Sequence, residues 1–221
     1  MKGGNKTTVL LVSFFILLAA GFSFYYYAKS KEIRKPKVAI TSPPGQSIRP
    51  FAFLNQEGDT ITKKDIEGKI VVVEYFFTTC KSICPKMNEN MAKVYQAFRG
   101  SDDVVILSHT VDPKRDTVEA MKAYSMRFDA DPDKWMFLTG DKQALYDQAR
   151  YSYVVTAVDE AASEIEDDFI HTNIFVLVDK QGRLRTHIND EGNPESYDGT
   201  SESSVAKLIE DIKMLQQEDA N

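Results

Sequence analysis

The chain has 221 residues, 43% hydrophobic and 27% charged, with a formal net charge of −6. This is a globular composition with room for one packed domain and an appendage, and its two cysteines exclude a disulfide-rich scaffold or a pair of zinc knuckles. The first 37 residues hold seven of the 27 Lys and Arg and one of the 33 Asp and Glu, which leaves 20 positive against 32 negative groups and a net of −12 in the remainder. Such an acidic domain is expected not to bind nucleic acid, which needs clustered Lys and Arg against phosphate. It suits cations or basic protein surfaces.

In chain order, residues 1–8 are a short flank. The uncharged run "VLLVSFFILLAAGFSFYYYA", Val9–Ala28, is long enough to cross a bilayer and ends in three tyrosines suited to the interface. It reads as an uncleaved signal anchor. A cleaved signal peptide competes, because "LAAGFS" offers small residues, but the apolar run outlasts a usual h-region. Lys2 and Lys6 precede the run, and Lys29, Lys31, Arg34, Lys35 and Lys37 follow it. By the positive-inside rule that bias puts the C-terminal side in the cytoplasm, against the outward placement that the thiol chemistry below favours. Residues 29–48, basic and Pro-rich, read as a tether, and residues 49–217 as the folded domain.

Within that domain, "FAFLNQEGDTITKKDIEG" predicts a hairpin about Gly58, and "KIVVVEYFF" a strand buried on both faces. "MNENMAKVYQAF" has helical spacing, and "DVVILSHTV" is a second buried strand. Asp116 with Glu119 predicts a capping box for the next helix. "WMFLTG" is a short strand, Asp141 caps a further helix, and "YSYVVTAV" is extended. "NIFVLVDKQGRLRTHI" predicts two strands about a turn, and "SSVAKLIEDIKMLQQ" a closing amphipathic helix. The fold class is α/β with a mixed central sheet.

The segment "YFFTTCKSICPKM" carries both cysteines, where a buried strand ends and a helix begins. Ligand and catalytic sites gather at such strand ends in open α/β sheets. Pro85 favours a helix start, placing Cys84 near the N-cap and Cys80 in the loop before it, so that the thiols converge on a turn. The helix N-terminus and Lys81 are expected to favour the thiolate. Inert buried cysteines are the plain alternative. Soft thiolates suit copper(I) or zinc, and two of them leave a coordination sphere incomplete. Of the three histidines, His171 has the best placement for a third ligand, on a loop before a strand. His109 is second, and His187 is expected to be solvent-exposed. Asp159–Asp168, six acids in ten residues, reads first as a solvated loop.

Together, "YFFTTCKSICPKM", "VDPKRDT" and "FIHTNIFVLVDKQG" resemble the Sco/SenC family of copper-binding assembly factors for cytochrome c oxidase, from about Phe51 to the last helix. The resemblance implies a thioredoxin-like fold behind one N-terminal transmembrane helix, in the bacterial inner membrane with the domain on the periplasmic side. It implies one copper ion, Cu(I) or Cu(II), on Cys80, Cys84 and His171. It also implies delivery to the Cu-A centre of oxidase subunit II, with a further copper carrier as a second partner. A thiol–disulfide role for Cys80 and Cys84 on the oxidase cysteines is the alternative. Two departures stand out: Ile170 precedes His171 where many relatives carry Asp, and His109 stands where relatives often have an apolar or small residue. Thioredoxin-like reductases carry a cis-proline facing the cysteines; His171-Thr172-Asn173 stands there in this chain, which favours metal binding.

Overall fold

The structure is a computed structural model that describes residues 4–32, 38–154 and 172–218. The acidic run Asp159–Asp168, His171 and most of the stretch expected to be extended after Tyr151 lie outside the described residues. Two compact units form, one before Val38 and one from Val38 onward. In the first, helix α1 (Gly4–Glu32) contains Thr8–Tyr27, 20 residues long and apolar enough to cross a membrane. At 1.5 Å per residue, that length matches the hydrocarbon thickness of a bilayer, about 30 Å.

The second unit is built on a mixed sheet of β1 (Val38–Ile40), β4 (Ile70–Phe76), β5 (Val104–Thr110), β6 (Trp135–Leu138), β7 (Ile174–Val178) and β8 (Leu184–Ile188), in the order β1-β8-β7-β4-β5-β6. Two-residue strands β9 (Pro194–Glu195) and β10 (Tyr197–Asp198) pair with β8 and β7. β4, β5 and β6 run parallel, whereas β7 is antiparallel to β4. The separate hairpin of β2 (Ala52–Leu54) and β3 (Thr60–Thr62) turns through Gly58 at φ +86°, a left-handed conformation that glycine adopts without steric cost.

All seven residues of β4 are buried, and their alternation divides the core. Ile70, Val72 and Phe76 meet helices α2 (Cys84–Phe98), α3 (Val118–Ser125) and α5 (Glu202–Glu218). Val71, Val73 and Tyr75 meet α4 (Lys142–Tyr151) on the other face. The expected mixed α/β architecture therefore holds, with helices on both faces of the sheet.

Three expectations change. Residues 38–48 do not remain tether: β1 pairs antiparallel with β8, and Val38 and Ile48 are buried. Apolar contact and a free edge on β8 draw the chain into the sheet. Asp116 does not cap α3; Thr117 does, its hydroxyl accepting from the Ala120 amide at 3.4 Å, while Asp116 turns inward. Tyr151 closes α4 rather than opening an extended stretch. Asp141 caps α4 as expected, accepting from the Ala144 amide at 2.9 Å.

Candidate metal centre

The cysteine segment leaves the sheet at Phe76, whose carbonyl accepts from the Val111 amide at 2.9 Å. One residue on, the Phe77 carbonyl accepts the Cys80 amide at 3.2 Å and closes the turn. α2 then opens at Cys84, with Pro85 in its first turn, where a missing N–H costs no helical bond. Asn88 donates to the Cys84 carbonyl at 3.0 Å. Both cysteines are free thiols, Cys80 half-buried and Cys84 only 4% exposed, part of the apolar cluster beneath α2.

The two thiols differ electrostatically. Burial works against the Cys80 thiolate, but hydrogen bonds from the Cys84 thiol, the Ser82 hydroxyl and the backbone around them outweigh it and hold Cys80 below the ordinary thiol value. Cys80 Sγ lies 3.6 Å from Ser82 Oγ. Burial, together with the hydrogen bond to Cys80, pushes Cys84 up to about 12. The helix N-terminus expected to favour a thiolate at Cys84 is thus overridden by burial, and of the two thiols Cys80 is the one whose thiolate is favoured.

Below the pair stands Glu74, an acid in an otherwise apolar strand. It is fully buried, accepts the Ser108 hydroxyl at 2.6 Å, and Ser108 in turn accepts Trp135 Nε1 at 2.8 Å. Burial raises Glu74 to about 7, with the Ser108 bond opposing. Its charge adds to the forces that raise Cys84 and Tyr124.

Above the pair, Asp116 anchors the turn. It is 0% exposed and accepts the Thr78 amide on both carboxylate oxygens at 3.3 and 3.2 Å, the Thr78 hydroxyl, and the Thr110 hydroxyl at 2.5 Å. Neither Glu74 nor Asp116 is a site candidate in the sequence reading. The signals were an acid inside an apolar run and the second aspartate of "VDPKRDT".

The histidines separate. His109 is fully buried and stacks on Tyr75 with ring centroids 5.1 Å apart. Its neighbours Phe53 and Tyr153 belong to the α4 face of the core, opposite the cluster that holds Cys84. His109 is therefore not brought to the cysteines. His187, expected to be exposed, is 7% exposed, with Nδ1 2.9 Å from Asp211 Oδ2, an oxygen that also accepts the Tyr197 hydroxyl at 2.7 Å. The strand alternation turns its ring toward α5. His171 lies outside the described residues. Among the described residues, no three metal-ligating side chains cluster.

Comparison with known proteins matches this arrangement. The SCO1/SenC family model covers residues 41–206. A SCO1/SenC family lipoprotein from Bacillus anthracis str. Ames superposes with a TM-score of 0.64 at 30% identity, over 80% of this chain and 99% of that one. BsSco, a Sco-family cytochrome c oxidase assembly protein with a disulfide switch, gives 0.62 at 25% identity over 80% and 98%. Bradyrhizobium japonicum ScoI, with copper bound, gives 0.56 at 26% identity over 75% and 99%. With three quarters of its length inside that family pattern and both thiols at the strand–helix junction, the chain belongs to the SCO1/SenC family.

Proposed function

We propose that this protein is a membrane-anchored copper metallochaperone that binds one copper ion as cargo through Cys80, Cys84 and His171 and assists assembly of the Cu-A centre of cytochrome c oxidase. The carrying observation is the pairing of one half-exposed thiol of lowered pKa with one buried thiol at the start of α2, in a SCO1/SenC chain. Soft sulfur donors fit copper(I), and a two-sulfur set leaves room for an imidazole. The antiparallel pairing of β7 with β4 supports His171 as that third ligand. It brings Ile174, three residues after His171, toward the C-terminal end of β4, where the cysteine turn begins.

Binding would displace the Cys84 proton, making affinity rise with pH. The accessible Cys80 would be the sulfur that exchanges with a partner's thiol, first from a copper carrier and then to oxidase subunit II. Thr8–Tyr27 would hold the protein in the bacterial inner membrane, with residues from Val38 onward folded on the periplasmic side. The copper-bound ScoI relative supports the cargo, and the oxidase-assembly description of BsSco supports the destination.

The test is titration of the reduced, detergent-solubilised chain with copper(I) under anaerobic conditions. One ion per chain is expected, with binding lost in Cys80→Ala and Cys84→Ala and weakened in His171→Ala. Unchanged affinity and stoichiometry in all three variants would overturn the assignment. A second reading, thiol–disulfide exchange, is favoured by the two free thiols, one half-exposed and one buried, at the start of α2 and by the disulfide switch of BsSco. Rapid turnover of a thiol substrate that persists in His171→Ala would support it over copper delivery.

A further inference from the structure

We infer that Asp116 is a positioning residue for the cysteine pair: its buried carboxylate clamps the Thr78–Cys80 turn and thereby holds Cys80 close to Cys84. This rests on the proposed thiol site and extends it to a residue 32 positions beyond Cys84 that bears no sulfur or imidazole.

The geometry has two halves. On one side, Asp116 is itself immobilised. Its amide donates to the Asp112 carbonyl at 2.9 Å, and its own carbonyl accepts the Thr139 hydroxyl at 2.6 Å. Thr110 ends β5 and Thr139 follows β6, so the residue is tied to two strands of the parallel sheet. On the other side, both carboxylate oxygens point at Thr78, taking its amide and its hydroxyl. Thr78 stands two residues before Cys80 and one residue after Phe77, whose carbonyl holds the Cys80 amide. The groups on the two carboxylate oxygens are one amide and two hydroxyls, each placed to donate. Charge-assisted bonds to a backbone amide are among the stronger neutral-donor contacts, and a buried one is screened little. Without the clamp, Thr78 loses the bonds that tie its amide and hydroxyl to the sheet, and the segment leading into Cys80 is held less firmly. The effective concentration of Cys80 at Cys84 then falls.

The test uses the full chain in detergent, free of copper, equilibrated with glutathione. Cys80 thiolate attacks glutathione disulfide and releases one glutathione thiolate. Cys84 thiolate then displaces the second glutathione thiolate, so that two protein thiols are oxidised as one glutathione disulfide is reduced to two thiols. Asp116→Asn and Thr78→Val are expected to lower this equilibrium constant about fivefold or more, the scale of one lost hydrogen bond of about 1 kcal/mol. Thr78→Ser should restore it. Thr186→Val removes a hydroxyl bond to the Glu195 carbonyl at 2.9 Å on β8, away from Asp116 and the cysteine turn. It should lower thermal stability and leave the constant unchanged. If Asp116→Asn does not fold, Thr78→Val decides. No change in either variant, or an equal change in Thr186→Val, overturns the inference. Because the readout needs no copper, a wild-type chain that fails to bind copper(I) sinks the chaperone reading and leaves this result standing.

Discussion

The imidazole of His109 lies stacked on the Tyr75 ring, 5.1 Å between centroids and 22° between planes, and its two nitrogens have no hydrogen bond of ordinary geometry. It packs as an aromatic filler between adjacent parallel strands, where Tyr75 and His109 are register partners. Burial pushes its pKa down to about 3, so the folded state favours the neutral ring near neutral pH.

His109→Phe should therefore keep copper(I) binding and gain stability in mild acid. A histidine whose folded pKa is depressed contributes stability fully present above its unfolded value, near 6.5, and lost as pH falls toward 3. Near pH 5 the variant should exceed the parent by roughly 2 kcal/mol, and near pH 8 by little. Urea unfolding at the two pH values measures this. A copper affinity that collapses in His109→Phe would make His109 a ligand after all.

Glu74 has the opposite dependence. Its folded pKa of about 7 exceeds the ordinary 4.5, so the native state binds the proton more tightly, and stability is lost as pH rises from 4.5 through 7. Glu74→Gln should leave stability near the parent's at the acid end and exceed it by roughly 3 kcal/mol above neutrality. A difference that is flat across that window would mean that Glu74 is not buried in solution.

The asymmetry of the two thiols predicts site-selective chemistry. With the metal-free, reduced chain near pH 8, limiting iodoacetamide should label Cys80 at least about tenfold faster than Cys84, because the thiolate is the nucleophile and Cys84 is pushed up to about 12. Peptide mass spectrometry reads the ratio. Equal labelling would contradict the burial of Cys84.

The domain boundary is testable by truncation. A fragment beginning at Val38 keeps β1. One beginning at Arg49 loses buried Val38 and Ile48, and with them the bonds from Thr41 and Ile48 amides to the Leu184 and Gly182 carbonyls at 2.9 and 3.0 Å. The shorter fragment should be less stable by about 3–6 kcal/mol, from two buried aliphatic side chains at 1.5–3 kcal/mol each. Equal melting temperatures would return residues 38–48 to the tether.

Much of this was legible without coordinates. The apolar, β-branched runs that open β4 and β5, the hairpin glycine and the Asp141 cap act through neighbours within a few residues, so local pattern suffices to place them. Pro85 likewise dictates the start of α2 by its own ring geometry. The N-terminal apolar span is read from length and composition alone. The misread residues share one trait: the partner that decides their role lies far along the chain. Asp116 resembles a cap beside Thr117, and only the approach of Thr78, 38 residues earlier, turns it into an anchor. His187 looks exposed after a hairpin, and Asp211 on α5, 24 residues later, buries it.

Sequence by itself determined the family, the α/β class and the thiol pair at the strand–helix junction, because covalent spacing and local propensity carry them. Tertiary structure alone decided that Cys80 is the low-pKa thiol and Cys84 the buried one, that His109 faces away from both, and that Asp116 accepts the amide of Thr78 two residues before Cys80. Burial and long-range hydrogen bonding set those properties, and both arise only when strands distant in sequence are laid side by side.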